Sequence, residues 1–465
     1  MRKLVFLVLL IVAKFGFGQG YKIEVELPNA ANQEVKLAYH FLDKIYARDT
    51  VLLNEKGIGT FQGDSLLPQG LYKILIDQSK HFDLLIGADQ QFHLYNNGID
   101  ASKMKIEGSK ESETFVDYLV FFNKLKAKSQ ELNRQLKSAA SDQEREAIRV
   151  QQAGLNDEMK AYWDKINHEL PGSFLYKFLV ANEVPVLDIS TLPKEVQQND
   201  SLLLMARFNY QREHFWDNFD YTDERMLYTP FYKPKLDTWF NKVLYPAYDS
   251  VKPYVYSFLD DVESNPRIFQ FTTSYFINAS INSNILGMDA LFVDLAEDYY
   301  LNGKAFWATE ASLETIRENV LFYKDNLIGK TGADLMMETY DGEYVSLHQV
   351  DAEITVVLIY EPNCGHCKVF VPEFYKEVYQ KYKDKGLEVF AIYSMDNKEE
   401  WTEFLVKHNM WDWINVWDKD HTTRFKIHYD GRKTPGVFVL DRDKKIIAKR
   451  LDVEQLESLM EERLK

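Results

Sequence analysis

Apolar and polar residues alternate from Tyr21 onward: Tyr21, Ile23, Val25 and Leu27 are apolar, Lys22, Glu24 and Glu26 charged. A period of two predicts a strand with one buried face. Short runs of the same kind follow at residues 35–39, 50–53, 59–62, 70–76, 82–86 and 91–95, separated by Asn, Asp, Gly and Pro. Together they predict a small antiparallel β-sandwich over residues 19–107. Past Ser109 the period changes. Phe115, Tyr118, Leu119, Phe122 and Leu125 fall at helical spacing, and Leu132 and Leu136 continue the face. Residues 138–141 interrupt it, and Ser141 with Glu144 predicts a capping box that opens a second helix reaching about His168. Two long antiparallel helices are expected, closed by Pro171-Gly172.

Shorter aromatic helices are predicted at 173–182, 200–219, 235–243, 251–262, 267–281, 289–301 and 312–326. Pro230, Pro234, Pro246, Pro253 and Pro266 punctuate them. Residues 108–326 therefore read as an all-helical domain. Its many Tyr and Phe residues suit a groove for peptides or sugars, and at helical spacing they equally suit interhelix packing. Strands and helices alternate again from 354: a β-branched strand at 354–360, a helix at 368–383, a strand at 387–394, a helix at 397–408, a short edge element at 413–417, a β-hairpin at 434–450 and a last helix at 452–465. This order predicts an α/β domain over residues 327–465.

The length fits about three domains at ~150 residues each. Net charge is −16 and no basic block occurs, so no nucleic acid partner is expected. Residues 1–18 read as a secretory signal: Arg2 and Lys3, an apolar run from Leu4 to Ala13, then Gly16-Phe17-Gly18 as a small-x-small cleavage site. The apolar run is too short to span a membrane, and no cysteine follows it to carry a lipid. The expected product is periplasmic or extracellular, soluble, with no integral membrane segment after signal cleavage. His40, His81 and His93 are scattered without ligand spacing, and neither a metal nor a cofactor is expected.

The chain has two cysteines, and both stand in Cys364-Gly365-His366-Cys367. A disulfide across so small a loop constrains little of the unfolded chain, so stability is a poor reason for the pair. The pair falls where the strand at 354–360 gives way to a helix. A helix N-terminus stabilises a thiolate, and a C-x-x-C turn lowers the first thiol from about 8.5 into a range of roughly 3.5–7.5. Cys364 is thus the expected nucleophile and Cys367 the thiol that resolves a mixed disulfide, the two forming a redox-active disulfide. As an imidazolium, His366 would favour the thiolate.

Residues 327–465 resemble a thioredoxin domain of the TlpA/ResA type, the branch grouped with AhpC/TSA-type domains. The motif junction, Pro372, Thr434-Pro435 ahead of the next strand, and the lead-in at 329–334 and 341–347 carry the likeness. Residues 19–107 resemble the β domain that precedes such modules in envelope proteins, and 289–307 resembles a helical insert found before them. The resemblance implies a multidomain chain: N-terminal β-sandwich, all-helical middle domain, C-terminal thioredoxin fold. It implies a cis Pro435 that turns the Thr434 backbone toward Cys364. Gly-His between the cysteines is also the dipeptide of protein disulfide isomerases, which implies a potential nearer about −180 mV than thioredoxin's −270 mV. The sequence departs from the family pattern at Asn363, where many thioredoxins have Trp, and at Leu358 and Phe370, where related domains carry carboxylates. Glu361 is the acid that could relay the Cys367 proton.

The function implied is a secreted thiol-disulfide oxidoreductase, reductase or isomerase, with a disulfide-containing protein as substrate and a thiol-disulfide electron donor as second partner. A peroxiredoxin-like peroxidase wants Thr or Ser where Glu361 stands. A partner- or glycan-binding envelope protein on a thioredoxin scaffold would need neither cysteine.

Overall fold

The computed structural model describes residues 20–465. The signal expected at 1–18 lies outside them. Contacts divide the chain into two compact units, one ending at Leu244 and the other Tyr245–Lys465.

The first unit opens with two four-stranded sheets. Their strands are β1 Lys22–Glu26, β2 Glu34–Phe41, β3 Lys44–Leu52, β4 Ile58–Gln62, β5 Gly70–Leu75, β6 His81–Ile86, β7 Gln91–Tyr95 and β8 Lys105–Glu107. The orders are β4-β1-β7-β8 and β3-β2-β5-β6. The alternation does its expected work: Ile23, Val25, Leu37, Ile74, Leu84 and Leu94 are fully buried in one shared core, while the charged positions between them face out. Two features differ from expectation. β1 pairs in parallel with β7, so the sandwich is not purely antiparallel. The period of a strand reports which face is buried and carries no direction. The short strand expected at 50–53 begins at Lys44, since its outward face is exposed along its length and shows no alternation.

Helices Lys110–Ser138 and Asp142–Glu169 form the expected hairpin, with Leu125, Leu132, Ile148 and Leu155 at its seam. Ser141 caps the second helix by accepting from the Glu144 N–H at 3.2 Å. Glu144 reaches back one residue further than a capping box would, to the Ala140 N–H. The helical stretch expected as one body contributes to both units. Tyr228 packs against Tyr39 and Phe41 of the sandwich, with ring centroids 6.0 and 5.5 Å apart. Later helices bury their apolar faces in the second unit.

That second unit begins with helices Tyr248–Val262, Pro266–Ile281, Met288–Leu295 and Glu310–Tyr323. Their aromatics pack on one another, as in Phe258–Phe276 at 5.6 Å and Phe269–Trp307 at 5.6 Å. A seven-stranded sheet follows, of order β10-β9-β13-β12-β11-β14-β15. The strands are β9 Met336–Thr339, β10 Tyr344–Ser346, β11 Ile354–Tyr360, β12 Leu387–Tyr393, β13 Ile414–Trp417, β14 Gly436–Asp441 and β15 Ile446–Lys449. β11, β12 and β13 run parallel. The element expected at an edge, 413–417, is interior, because β9 and β10 extend the sheet beyond it. Neither of those two short strands has a readable period. Val356, Leu358 and Tyr360 point into one core with Val371, Phe374 and Leu456, while Val357 and Ile359 point into another with Leu347, Phe425 and Tyr429. Burial on both faces explains why β11 reads as an unbroken apolar run. No helix among the described residues is long and apolar enough to cross a membrane.

Candidate active site

β11 is buried at all seven positions and ends at Tyr360. The chain then turns through Glu361, Pro362 and Asn363, where the Cys364 N–H donates to the Glu361 carbonyl at 3.2 Å. The next helix starts at Gly365, three residues earlier than the 368 expected. The reason is chemical. Cys364 is its N-cap, with extended backbone, and the sulfur accepts from the Cys367 N–H at 3.4 Å. A sulfur thus takes the place that Ser or Asp usually fills, and it fills it better as a thiolate. Pro372 lies inside this helix, which passes into a wider turn over Tyr375–Tyr379.

The two thiols are free and unequal. Cys364 is partly exposed and Cys367 buried. Burial pushes the Cys364 thiol up, but hydrogen bonds from Thr434 and from the N–H groups of Cys367 and His366 outweigh it, and the net shift is downward. Burial dominates at Cys367 and pushes it up to about 12, with the Cys364 sulfur beside it adding to the rise.

β14 runs antiparallel to β11 with Gly436 opposite Ile359, so the residues before Gly436 arrive beside the end of β11. The Thr434–Pro435 peptide is cis. In the thiol form the Cys364 S–H donates to the Thr434 carbonyl, 3.2 Å away. Register therefore brings Cys364, Cys367, Thr434 and Pro435 together from positions seventy residues apart.

The other residues singled out in the sequence are placed differently. His366 is exposed on the first turn of the helix. The Glu361 carboxylate accepts from Ser394 Oγ at 3.3 Å, and it is the Glu361 backbone that bonds the Cys367 sulfur. Leu358 is fully buried in the core, with Phe370 packed against it. The Asn363 amide donates to the Glu400 carboxylate. Beneath Cys367, Tyr360 is fully buried and its hydroxyl accepts from Trp401 Nε1 at 2.7 Å. Among the described residues, no group of three or more His, Cys, Asp or Glu side chains could hold a metal ion.

The model of the AhpC/TSA family matches residues 328–449. The C-terminal region is an AhpC/TSA-type, thioredoxin-like redox domain. Three solved structures are similar. A domain of a possible thiol-disulfide isomerase from Cytophaga hutchinsonii shares 36% identity, over 29% of this chain and 92% of that one, with a TM-score of 0.28. A thioredoxin-like protein from Bacteroides caccae shares 17%, over 60% and 97%, with a TM-score of 0.47. A thiol:disulfide interchange protein from a Bacteroides species shares 22%, over 30% and 91%, with a TM-score of 0.27. The search of curated proteins gave no match.

The AhpC/TSA-type domain does not line its cleft alone. A cavity of about 970 Å³ lies beside the motif, and Gly365, His366, Val369 and Pro435 are among the residues that line it. Ile281, Asn319 and Tyr323 line it too, and all three precede the matched segment. Sequence reasoning missed them. A half-buried Asn and a Tyr on a helix have no mark that separates them from packing residues until their long-range partners are known.

Proposed function

We propose that the chain is a secreted thiol-disulfide oxidoreductase of protein disulfides, with Cys364 as nucleophile and Cys367 as resolving thiol. What supports the reading is the unequal pair itself: one partly exposed sulfur with a lowered pKa capping a helix, and one buried sulfur beside it with a raised pKa. The Cys364 thiolate attacks a substrate disulfide, forming a mixed disulfide and releasing one substrate sulfur as a thiolate that takes up a proton. Cys367 then loses its proton and attacks the Cys364 sulfur. The second substrate thiol leaves, and the domain ends oxidised. A thiol donor must return the two electrons for another cycle.

Thr434, facing the sulfur through its carbonyl, and Pro435 would hold the substrate segment against it. His366 would favour the thiolate from its exposed position and raise the potential toward the isomerase value, about −180 mV. Glu361, whose backbone bonds the Cys367 sulfur, is the acid assigned to the Cys367 proton. The signal expected at 1–18 directs the chain to the periplasm or beyond. Insulin-disulfide reduction tests the reading: wild type turns over and Cys364→Ser does not, and equal turnover of the two would refute it. A hydroxyl residue would be expected at 361 for a peroxidase, and Glu361 stands there instead.

A further inference from the structure

The wall formed by Ile281, Asn319 and Tyr323 is built into the redox domain. Arg432 lies with its guanidinium carbon 4.1 Å from the centre of the Phe322 ring and 5.2 Å from that of Tyr323. Its Nε donates to Asp430 at 2.6 Å and its Nη1 to Asn319 Oδ1 at 3.0 Å. Arg450 sits 5.0 Å from the centre of the Tyr323 ring and donates to the same Asp430 at 3.0 Å. Deeper in, Lys449 pairs with Asp289 and donates to the Asn326 carbonyl and side chain at 2.7 and 2.8 Å. The Asn326 amide in turn donates to the His428 carbonyl at 3.1 Å. Lys449, Asn326 and Asp289 are all buried. Breaking one partner of such a set leaves an unpaired buried charge, so the helices cannot swing away from the sheet at small cost.

The same cavity has a lining that is chemically unfinished. Val369, next to the motif, is 65% exposed. Phe370 and Pro435 line the same cavity and are only partly covered. At about 970 Å³ the space stands at the upper end of the range for small-ligand sites, roughly 300–1,000 Å³, and far exceeds what a bare disulfide would fill. Its lining mixes apolar side chains, Ile281, Phe370 and Val437 among them, with hydrogen-bonding ones such as Asn319 and Arg432. A mixed lining suits an extended chain, whose side chains need apolar cover and whose peptide groups need partners. Arg432, already held by Asp430, Asn319 and two rings, would lose little freedom on bonding a peptide carbonyl.

We propose that Ile281, Asn319 and Tyr323 are specificity-determining residues: they turn the open face of the dithiol into a two-sided groove that takes an extended polypeptide segment of the disulfide substrate. The inference rests on the dithiol reading above and adds the substrate class. The full-length chain is assayed with two probes, hydroxyethyl disulfide and a disulfide-linked dimer of a short unstructured peptide. Asn319→Trp and Ile281→Trp narrow the groove from its far side. The kcat/KM for the peptide dimer is expected to fall at least about ten-fold more than that for hydroxyethyl disulfide, through KM. Equal losses on both probes, or no loss on either, would overturn the proposal. A second arm uses no redox chemistry: the labelled peptide is titrated into the Cys364→Ser/Cys367→Ser chain with and without Asn319→Trp. Weakening by about ten-fold supports the wall, and unchanged binding overturns it. If wild type turns over neither probe, the dithiol reading fails while this binding arm still judges the wall.

Discussion

Two strands of this molecule, β1 and β11, make an instructive contrast. Each is interior to its sheet, and each has one parallel and one antiparallel neighbour. β1 alternates buried with solvent-facing positions, while β11 is buried throughout. The difference lies in what covers them. β1 has a second sheet on one side only, so its charged residues stay in water. β11 has a packed layer on each face, so the surface it can offer is its end. There the chain must turn into a helix, whose N–H groups have no partners of their own. A sulfur at that turn meets a positive helix end, a neighbouring loop and an open side together. Open α/β sheets place ligands outside the carboxyl ends of their strands for this reason, and the sandwich has no comparable place.

The contrast can be broken by mutation. Cys364→Ser is expected to lower insulin-disulfide reduction by roughly 10³-fold or more, since it removes the nucleophile. His40→Ala in the sandwich is expected to leave that rate within about two-fold, because His40 belongs to the other compact unit and has no part in the thiol chemistry. The next largest effect is on stability. Leu358→Ala, at a fully buried position of β11, is expected to cost about 2–5 kcal/mol in urea unfolding. Ile23→Ala in β1 should show a loss of similar size while turnover survives. A Leu358→Ala chain as stable as wild type would mean that β11 is not the spine of its unit.

The thiols themselves sharpen the comparison through pH. Only the thiolate is alkylated. Because the Cys364 pKa is lowered, its alkylation by iodoacetamide should persist to lower pH than that of an ordinary thiol, whose midpoint is about 8.5. Cys367 is pushed up to about 12 and should resist alkylation across the neutral range. A titration in which the two react alike would refute the asymmetry. A smaller effect is expected at His366. If the imidazole has its proposed role, His366→Ala withdraws a group that favours the thiolate and the reduced form loses stability. The potential should move in the reducing direction by about 30 mV, measured against glutathione. The smallest effect belongs to Glu361→Gln. Its carboxylate is engaged by Ser394 and its backbone serves Cys367, so resolution should slow by less than about ten-fold in stopped-flow traces.

Much of this was legible in residue order. Period-two alternation marks β1 and β7 because one face of each is wetter than the other, and the unbroken run at 354–360 marks a strand covered on both. The motif marks its own turn, since a cysteine pair three apart at a strand end has few other uses. What escaped depends on partners distant in sequence. β9 and β10 are four and three residues long and have no readable period. The parallel pairing of β1 with β7 leaves no trace in either strand. Asn319, Asn326 and Lys449 look like ordinary surface residues, and only their bonds to Arg432, to His428 and to one another reveal a wall.

The most direct test of the account traps its intermediate. The Cys367→Ser chain, reduced and mixed with a disulfide-bonded protein substrate, is digested without reductant and mapped by mass spectrometry. The account predicts a mixed disulfide on Cys364 that persists because no resolving thiol remains. Failure to find substrate on Cys364, with the partner variant Cys364→Ser trapping it on Cys367 instead, would contradict the account.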